Sequence, residues 1–167
     1  MTRLSQDHYP ADQVERVAVE VLAAAGTPPD IARLVAGHLV WSDQIGHTSH
    51  GVLRVLEYVA RIRADRLDPA ATATVVRETA TTTLLDGNWG YGQVAAMAAV
   101  DAGIEKCRTA GAAVTGAYHI NHVGRLGDFT ERCAKAGLIA FSFVGGTPPG
   151  AKGNVAPFGG RGPVWGT

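Results

Sequence analysis

Two short stretches of this sequence combine residue types that can hold an anion and move a proton. The first is Asp43-Gln44-Ile45-Gly46-His47-Thr48-Ser49-His50-Gly51, followed by Arg54 and Tyr58. A helix beginning near Ser49 sets His50, Arg54 and Tyr58 at i, i+4 and i+8, an imidazole, a guanidinium and a phenol along one face. Arginine offers a planar fork of donors that matches a carboxylate, and histidine exchanges a proton near neutral pH. On the plainer reading, Arg54 and Tyr58 only line the solvated side of an amphipathic helix.

The second stretch is His119-Ile120-Asn121-His122-Val123-Gly124-Arg125-Leu126-Gly127, between a predicted strand and a predicted helix. A rigid strand end is a common address for active groups, because the loop after it exposes a firmly held side chain. A histidine there can act as a general acid toward an oxygen, or merely cap the helix. A third segment, Asp86-Gly87-Asn88-Trp89-Gly90-Tyr91-Gly92-Gln93, contains a GxG but continues Val94-Ala95-Ala96, so no dinucleotide-binding GxGxxG is completed. A fourth, Gly153-Asn154-Val155-Ala156-Pro157-Phe158-Gly159-Gly160, is a glycine turn able to approach a phosphate or ribose. His47/His50 and His119/His122 both have HxxH spacing. With Asp43 or Asp128 they could form a metal site, although the helical zinc motif spaces its histidines i, i+4.

The elements that must carry these groups can be read from periodicity. Val14, Val17, Ala18, Val21 and Leu22 predict a first helix, ended by Gly26, Pro28 and Pro29. Ile31, Leu34, Val35, Leu39 and Val40 predict a second, to about Asp43. A third is expected after Gly46, with Thr48 or Ser49 as cap, ending before Pro69. The Thr- and Val-rich segment from Ala71 to Leu85 suits two short strands. Next come a helix from Gln93 to Ala110, closed by Gly111, and a strand over Ala112–Ala117. A helix over Leu126–Ala136 and a strand over Leu138–Val144 follow. A domain boundary is expected near residues 68–72, dividing a helical unit (1–70) from an α/β unit (71–167).

Hydrophobic residues make up 46% of the 167 and charged residues 18%, a globular balance. The 15 basic and 15 acidic residues cancel, which removes the usual electrostatic case for nucleic acid or an anionic membrane as partner. Cys107 and Cys133 are too few for a disulfide framework, so buried thiols in a reducing, cytoplasmic setting are expected. The start of the chain has no apolar run of a signal peptide, and no stretch is long enough to span a membrane. The glycine- and proline-rich end, without a closing element, predicts a truncated chain.

Taken in order, these motifs resemble the malate/L-lactate dehydrogenase-like family of NAD(P)-dependent oxidoreductases, which is distinct from the Rossmann-type lactate dehydrogenases. The resemblance rests on Asp43, Gly46, Ser49-His50-Gly51 and Arg54; on Asp86-Gly87 through Gly92-Gln93; on Asn121-His122-Val123-Gly124 with Gly127; and on Val155, Pro157, Gly159-Gly160 and Gly166-Thr167. It implies an α/β fold in which an N-terminal helical domain precedes part of a mixed, largely antiparallel-sheet cofactor domain. It implies hydride transfer between NAD or NADP and a 2-oxo or 2-hydroxy acid, in a homodimer when full length. His122 is then the proton donor and acceptor at the substrate's C2 oxygen and Arg54 the carboxylate anchor, with Ser49 and His50 beside it. His122, Gly124, Gly146, Pro157, Gly159 and Gly160 are placed on the cofactor side, and no metal is implied. The alternatives are a metal-dependent hydrolase built on the HxxH pairs and an inactive truncated relative serving as a binding or assembly module. Two departures stand out: His119-Ile120 replaces the usual Asn-Ser, and the segment before Pro157 is longer and richer in proline.

Overall fold

The computed structural model describes residues 8–145 and 158–162. Helix α1 (Ala11–Ala24) and α2 (Pro29–Gln44) form the first layer. Gly26, at φ +95, allows the turn between them, and Pro29 enters the first position of α2, where its missing N–H costs no bond. Ala18 and Leu22 of α1 face Ile31, Ala32, Val35, Ala36 and Leu39 of α2, the helical stripe expected of a buried contact. Fully burying side chains such as Leu22 or Leu39 contributes about 1.5–3 kcal/mol each. A 3₁₀ turn (Thr48–His50) leads to α3 (Arg54–Arg63), whose Val55 and Tyr58 complete this core with Leu67 and Tyr91.

Strands β1 (Thr74–Glu78) and β2 (Thr82–Asp86) form an antiparallel hairpin with an irregularity between Val75 and Arg77. Helix α4 (Gly92–Ala110) then crosses over to β3 (Val114–Tyr118), which pairs with β2 in parallel. The described sheet is therefore mixed, in the order β1-β2-β3. Thr83 and Leu85 of β2 are buried, whereas every residue of β1 is exposed. Gly111, at φ +76, closes α4 with the left-handed cap that glycine adopts without a Cβ clash. Helix α5 (Leu126–Lys135) packs against α4, and Phe129 is its buried anchor. Thr27 Oγ1 meets the Tyr91 hydroxyl at 2.7 Å, joining the helical layer to the start of α4.

Three expectations need correction. The third helix does not begin near Ser49: Gly51 is extended (φ −88, ψ −160), so the 3₁₀ turn and α3 are separate elements. Residues 138–144 form no strand among the described residues. Their alternation turns Ile139, Phe141 and Phe143 outward, 93%, 81% and 90% exposed, and no described strand pairs with them. Cys107 and Cys133 are free but only half-buried. No described helix is long and apolar enough to cross a membrane.

Candidate active site

The site lies where the turn after α2, the inner face of α3 and the loop after β3 converge. Its first wall is built by Asp43. The Asp43 carboxylate accepts the Val52 N–H at 2.8 Å and fills the space a Cβ on Gly51 would need. The acidic residue and the glycine of the first motif are thus two halves of one packing arrangement that aims His50 and Arg54. Ser49 Oγ meets His50 Nδ1 at 2.9 Å, and the Ser49 carbonyl accepts from Arg54 Nε at 2.7 Å. Arg54 Nη1 bonds Glu57 Oε2 at 2.6 Å, and among the described residues the Nη2 donors have no partner. Burial raises the Glu57 carboxyl, but hydrogen bonds from Arg54 and Arg61 outweigh it and hold the group below the usual carboxylate value. Arg61 continues the chain to Asn121 Oδ1 at 3.2 Å, so one ion-pair ladder runs from Arg54 to the residue before His122.

The second wall is the loop carrying His122. It is fastened to the Asp86–Gln93 segment by Gly87 N–H to the Tyr118 carbonyl, Trp89 N–H to the His119 carbonyl, and Asn121 N–H to the Gly90 carbonyl. Asn121 Nδ2 adds a bond to the Trp89 carbonyl at 2.6 Å. Asn88, Trp89 and His119 all adopt positive φ, between 50 and 59, a strained conformation for residues with a Cβ and one that clusters at functional sites. The glycines of the third motif serve this crossing. A Cβ on Gly90 would stand 3.0 Å from the Ala71 carbonyl oxygen, and one on Gly92 would press on the backbone of Asn121 and His122.

His122 is half-buried. Its ring lies 5.1 Å from that of His50, which lies 4.5 Å from His47. His122 Nδ1 is 2.8 Å from the hydroxyl of Tyr58, which also receives Gln93 Nε2 at 2.7 Å. Burial, then the charge of Arg54 and the nearby His50, push the His122 pKa down to about 4. Burial also lowers His50, with His47 and Arg54 adding to the effect. Burial raises the Tyr58 phenol well above its usual value. His50, Arg54 and Tyr58 therefore do converge, but His50 arrives from the 3₁₀ turn, and Tyr58 is wholly buried instead of facing solvent.

The remaining residues separate into distinct groups. Gly124, at φ +75, lacks a side chain because His38 occupies that space, so its glycine serves packing. His38 Nε2 accepts the Arg125 N–H at 2.9 Å, so the ring is neutral with its hydrogen on Nδ1, which stands 2.7 Å from Asp128 Oδ2. His119 turns away from His122, stacking on Trp89 at 4.7 Å and meeting Asp86 at 3.1 Å. Among the described residues no group of three or more His, Cys, Asp or Glu side chains is arranged to hold a metal ion. Gly159 and Gly160 lie in an exposed turn, and no described residue comes within 4 Å of where a Cβ on Gly159 would stand. Gly146 and Pro157 lie outside the described residues. The hollows lined by Glu78 and Lys106, and by Val21 and Arg63, contain none of these groups.

Sequence reading missed Gln93, Asn121 and Glu57. Gln93 and Asn121 stand inside the quoted motifs, and Glu57 lies three residues beyond Arg54, the spacing of a helical ion pair.

The sequence model of the family described as malate/L-lactate dehydrogenase matches residues 9–167. Hydroxycarboxylate dehydrogenase B of Escherichia coli O157:H7 is 34% identical over 98% of this chain, which spans 44% of that protein. The malate dehydrogenase of Pyrococcus abyssi is also 34% identical, over 95% of this chain and 42% of its own length. Among solved structures, malate dehydrogenase from Entamoeba histolytica superposes with a TM-score of 0.76 at 30% identity, covering 78% of this chain and 37% of that one. The chain thus spans less than half the length of the relatives it matches.

Proposed function

This chain belongs to the malate/L-lactate dehydrogenase family, and from that premise we propose that it supplies the proton-transfer and carboxylate-binding half of an oxidoreductase acting on a 2-oxo or 2-hydroxy acid. The carrying observation is the convergence of His122 and His50, rings 5.1 Å apart, within the electrostatic field of Arg54. The Nη2 edge of Arg54 binds the substrate carboxylate, while Glu57 and the Ser49 carbonyl hold the guanidinium still. Ser49 and His50 border the same pocket and offer polar contacts to the substrate. His122 gives a proton to the C2 oxygen in reduction and receives it in oxidation.

A nicotinamide dinucleotide, NAD or NADP, supplies the hydride when bound. The Gly159–Gly160 turn, with Gly146 and Pro157, is assigned to its side of the site. With the site empty, the charge of Arg54 helps keep His122 neutral. A carboxylate on Arg54 offsets that charge and so favours the protonated form of His122 when a C2 oxygen is there to receive the proton. The full-length protein is expected to act as a homodimer.

The experiment is oxidation of NADH or NADPH by the full-length protein with pyruvate, oxaloacetate or a sulfonated 2-oxo acid. His122→Ala should remove most turnover and leave cofactor binding in place. Undiminished turnover in that variant would sink the assignment.

A further inference from the structure

Gln93 sits wholly buried in the first turn of α4, with Nε2 donating to the Tyr58 hydroxyl at 2.7 Å and Oε1 without a partner among the described residues. Tyr58 is equally buried, and its hydroxyl is 2.8 Å from His122 Nδ1. A phenol has a single hydrogen to give. Because Gln93 donates to the phenol oxygen, that hydrogen points to His122 Nδ1. Nδ1 is therefore an acceptor, and the proton of the neutral ring resides on Nε2.

That resting form cannot carry out proton transfer. Its Nε2 already holds a hydrogen, and its Nδ1 is filled by Tyr58. The two forms that can work are the imidazolium, which gives its Nε2 proton to the C2 oxygen, and the neutral ring with the proton on Nδ1, which takes it back. Both carry hydrogen on Nδ1, so in both the Tyr58 oxygen must accept, and the Tyr58 hydrogen needs another acceptor. The partnerless Oε1 of Gln93 is one half-turn of the amide away. From this geometry we infer that Tyr58 and Gln93 are positioning residues that decide which nitrogen of His122 carries the proton, the Gln93 amide turning over as His122 enters its working forms. The balance is simple: the resting ring takes one proton from solvent at Nδ1, and Tyr58 keeps its hydrogen but swings it from Nδ1 to Gln93 Oε1. The amide accounts for an otherwise unexplained buried oxygen, which a side chain kept only for packing would not present.

The inference rests on His122 as the proton-carrying group, and its test has a readout besides turnover. Nitrogen NMR of histidine-labelled full-length protein, with His122 assigned by loss of its signals in His122→Gln, distinguishes the two neutral ring forms. The wild-type protein should show Nε2–H with bare Nδ1 near neutral pH. Gln93→Met and Tyr58→Phe, which keep size or ring, should each give a mixture of forms. Each should lower kcat about ten-fold or more, with KM for the 2-oxo acid within about two-fold. A wild-type ring protonated on Nδ1, or an unchanged ring form in both variants, overturns the inference. If the ring form responds while no 2-oxo acid is turned over by the wild type, the positioning stands and the assigned reaction falls. If turnover occurs and the ring form does not respond, the reverse holds.

Discussion

Gly92, in the first turn of α4, lies directly beneath the carbonyl of His122, so that a Cβ there would stand 2.6 Å from the carbonyl oxygen. Backbone meets backbone at this point, and neither can yield as a flexible side chain would. Gly92→Ala should therefore lower stability by about 1–3 kcal/mol, as overpacking does, and should also displace His122. Thermal unfolding and turnover, measured together, should both fall. A variant that loses stability but keeps full turnover would show that the loop tolerates the shift.

Arg54→Lys retains the charge but loses the planar fork. The ammonium has three donors and cannot bond the Ser49 carbonyl and Glu57 while also presenting two donors, as Nη2 does, to a carboxylate. The expected result is a fall in kcat/KM of about 10- to 100-fold, mainly through KM. An effect on kcat alone would place Arg54 elsewhere in the reaction.

The depressed pKa of His122, about 4, sets a direction for linked protonation. Binding of oxamate, a carboxylate-bearing mimic of a 2-oxo acid, raises that value by offsetting the charge of Arg54. Between the free and bound values the complex holds more protons, so affinity rises as pH falls toward about 4 and levels off below it. Calorimetry in two buffers of different ionisation heat should record proton uptake, and His122→Gln should abolish it. Binding without uptake by the wild-type protein would remove the link between Arg54 and His122.

Thr27→Val tests a contact outside the reaction. It leaves the buried Tyr91 hydroxyl without its 2.7 Å partner, at a cost of about 1–3 kcal/mol. Denaturant unfolding should shift to lower concentration while KM is unchanged.

The longer helices and the hairpin were legible because their periodicity is local. Val14 to Leu22 and Ile31 to Val40 repeat at helical spacing, and Gly111 marks the end of α4. The start of α3 was not, because the extended backbone at Gly51 depends on Asp43, a carboxylate contributed by the preceding helix. Leu138 to Val144 has the alternation of a strand, but a strand also needs a neighbour, and none is present among the described residues. His122, His50, Ser49 and Arg54 were recognisable as types that bind anions and move protons. The interior position of Tyr58 was not, since it follows from Gln93 and His122, which meet it only once the chain has folded.

The crossover through α4 also orders events in time. The β1–β2 hairpin closes over a few residues, an event of microseconds, whereas parallel pairing of β2 with β3 must first close a loop containing all of α4. The segment bearing His119 and His122 follows β3, so it is expected to dock last during refolding. Trp89, stacked against His119, reports that late step once Trp41 and Trp165 are replaced by Phe. Its fluorescence should settle in a slower phase than the formation of helix, and Gly92→Ala should retard that phase in particular.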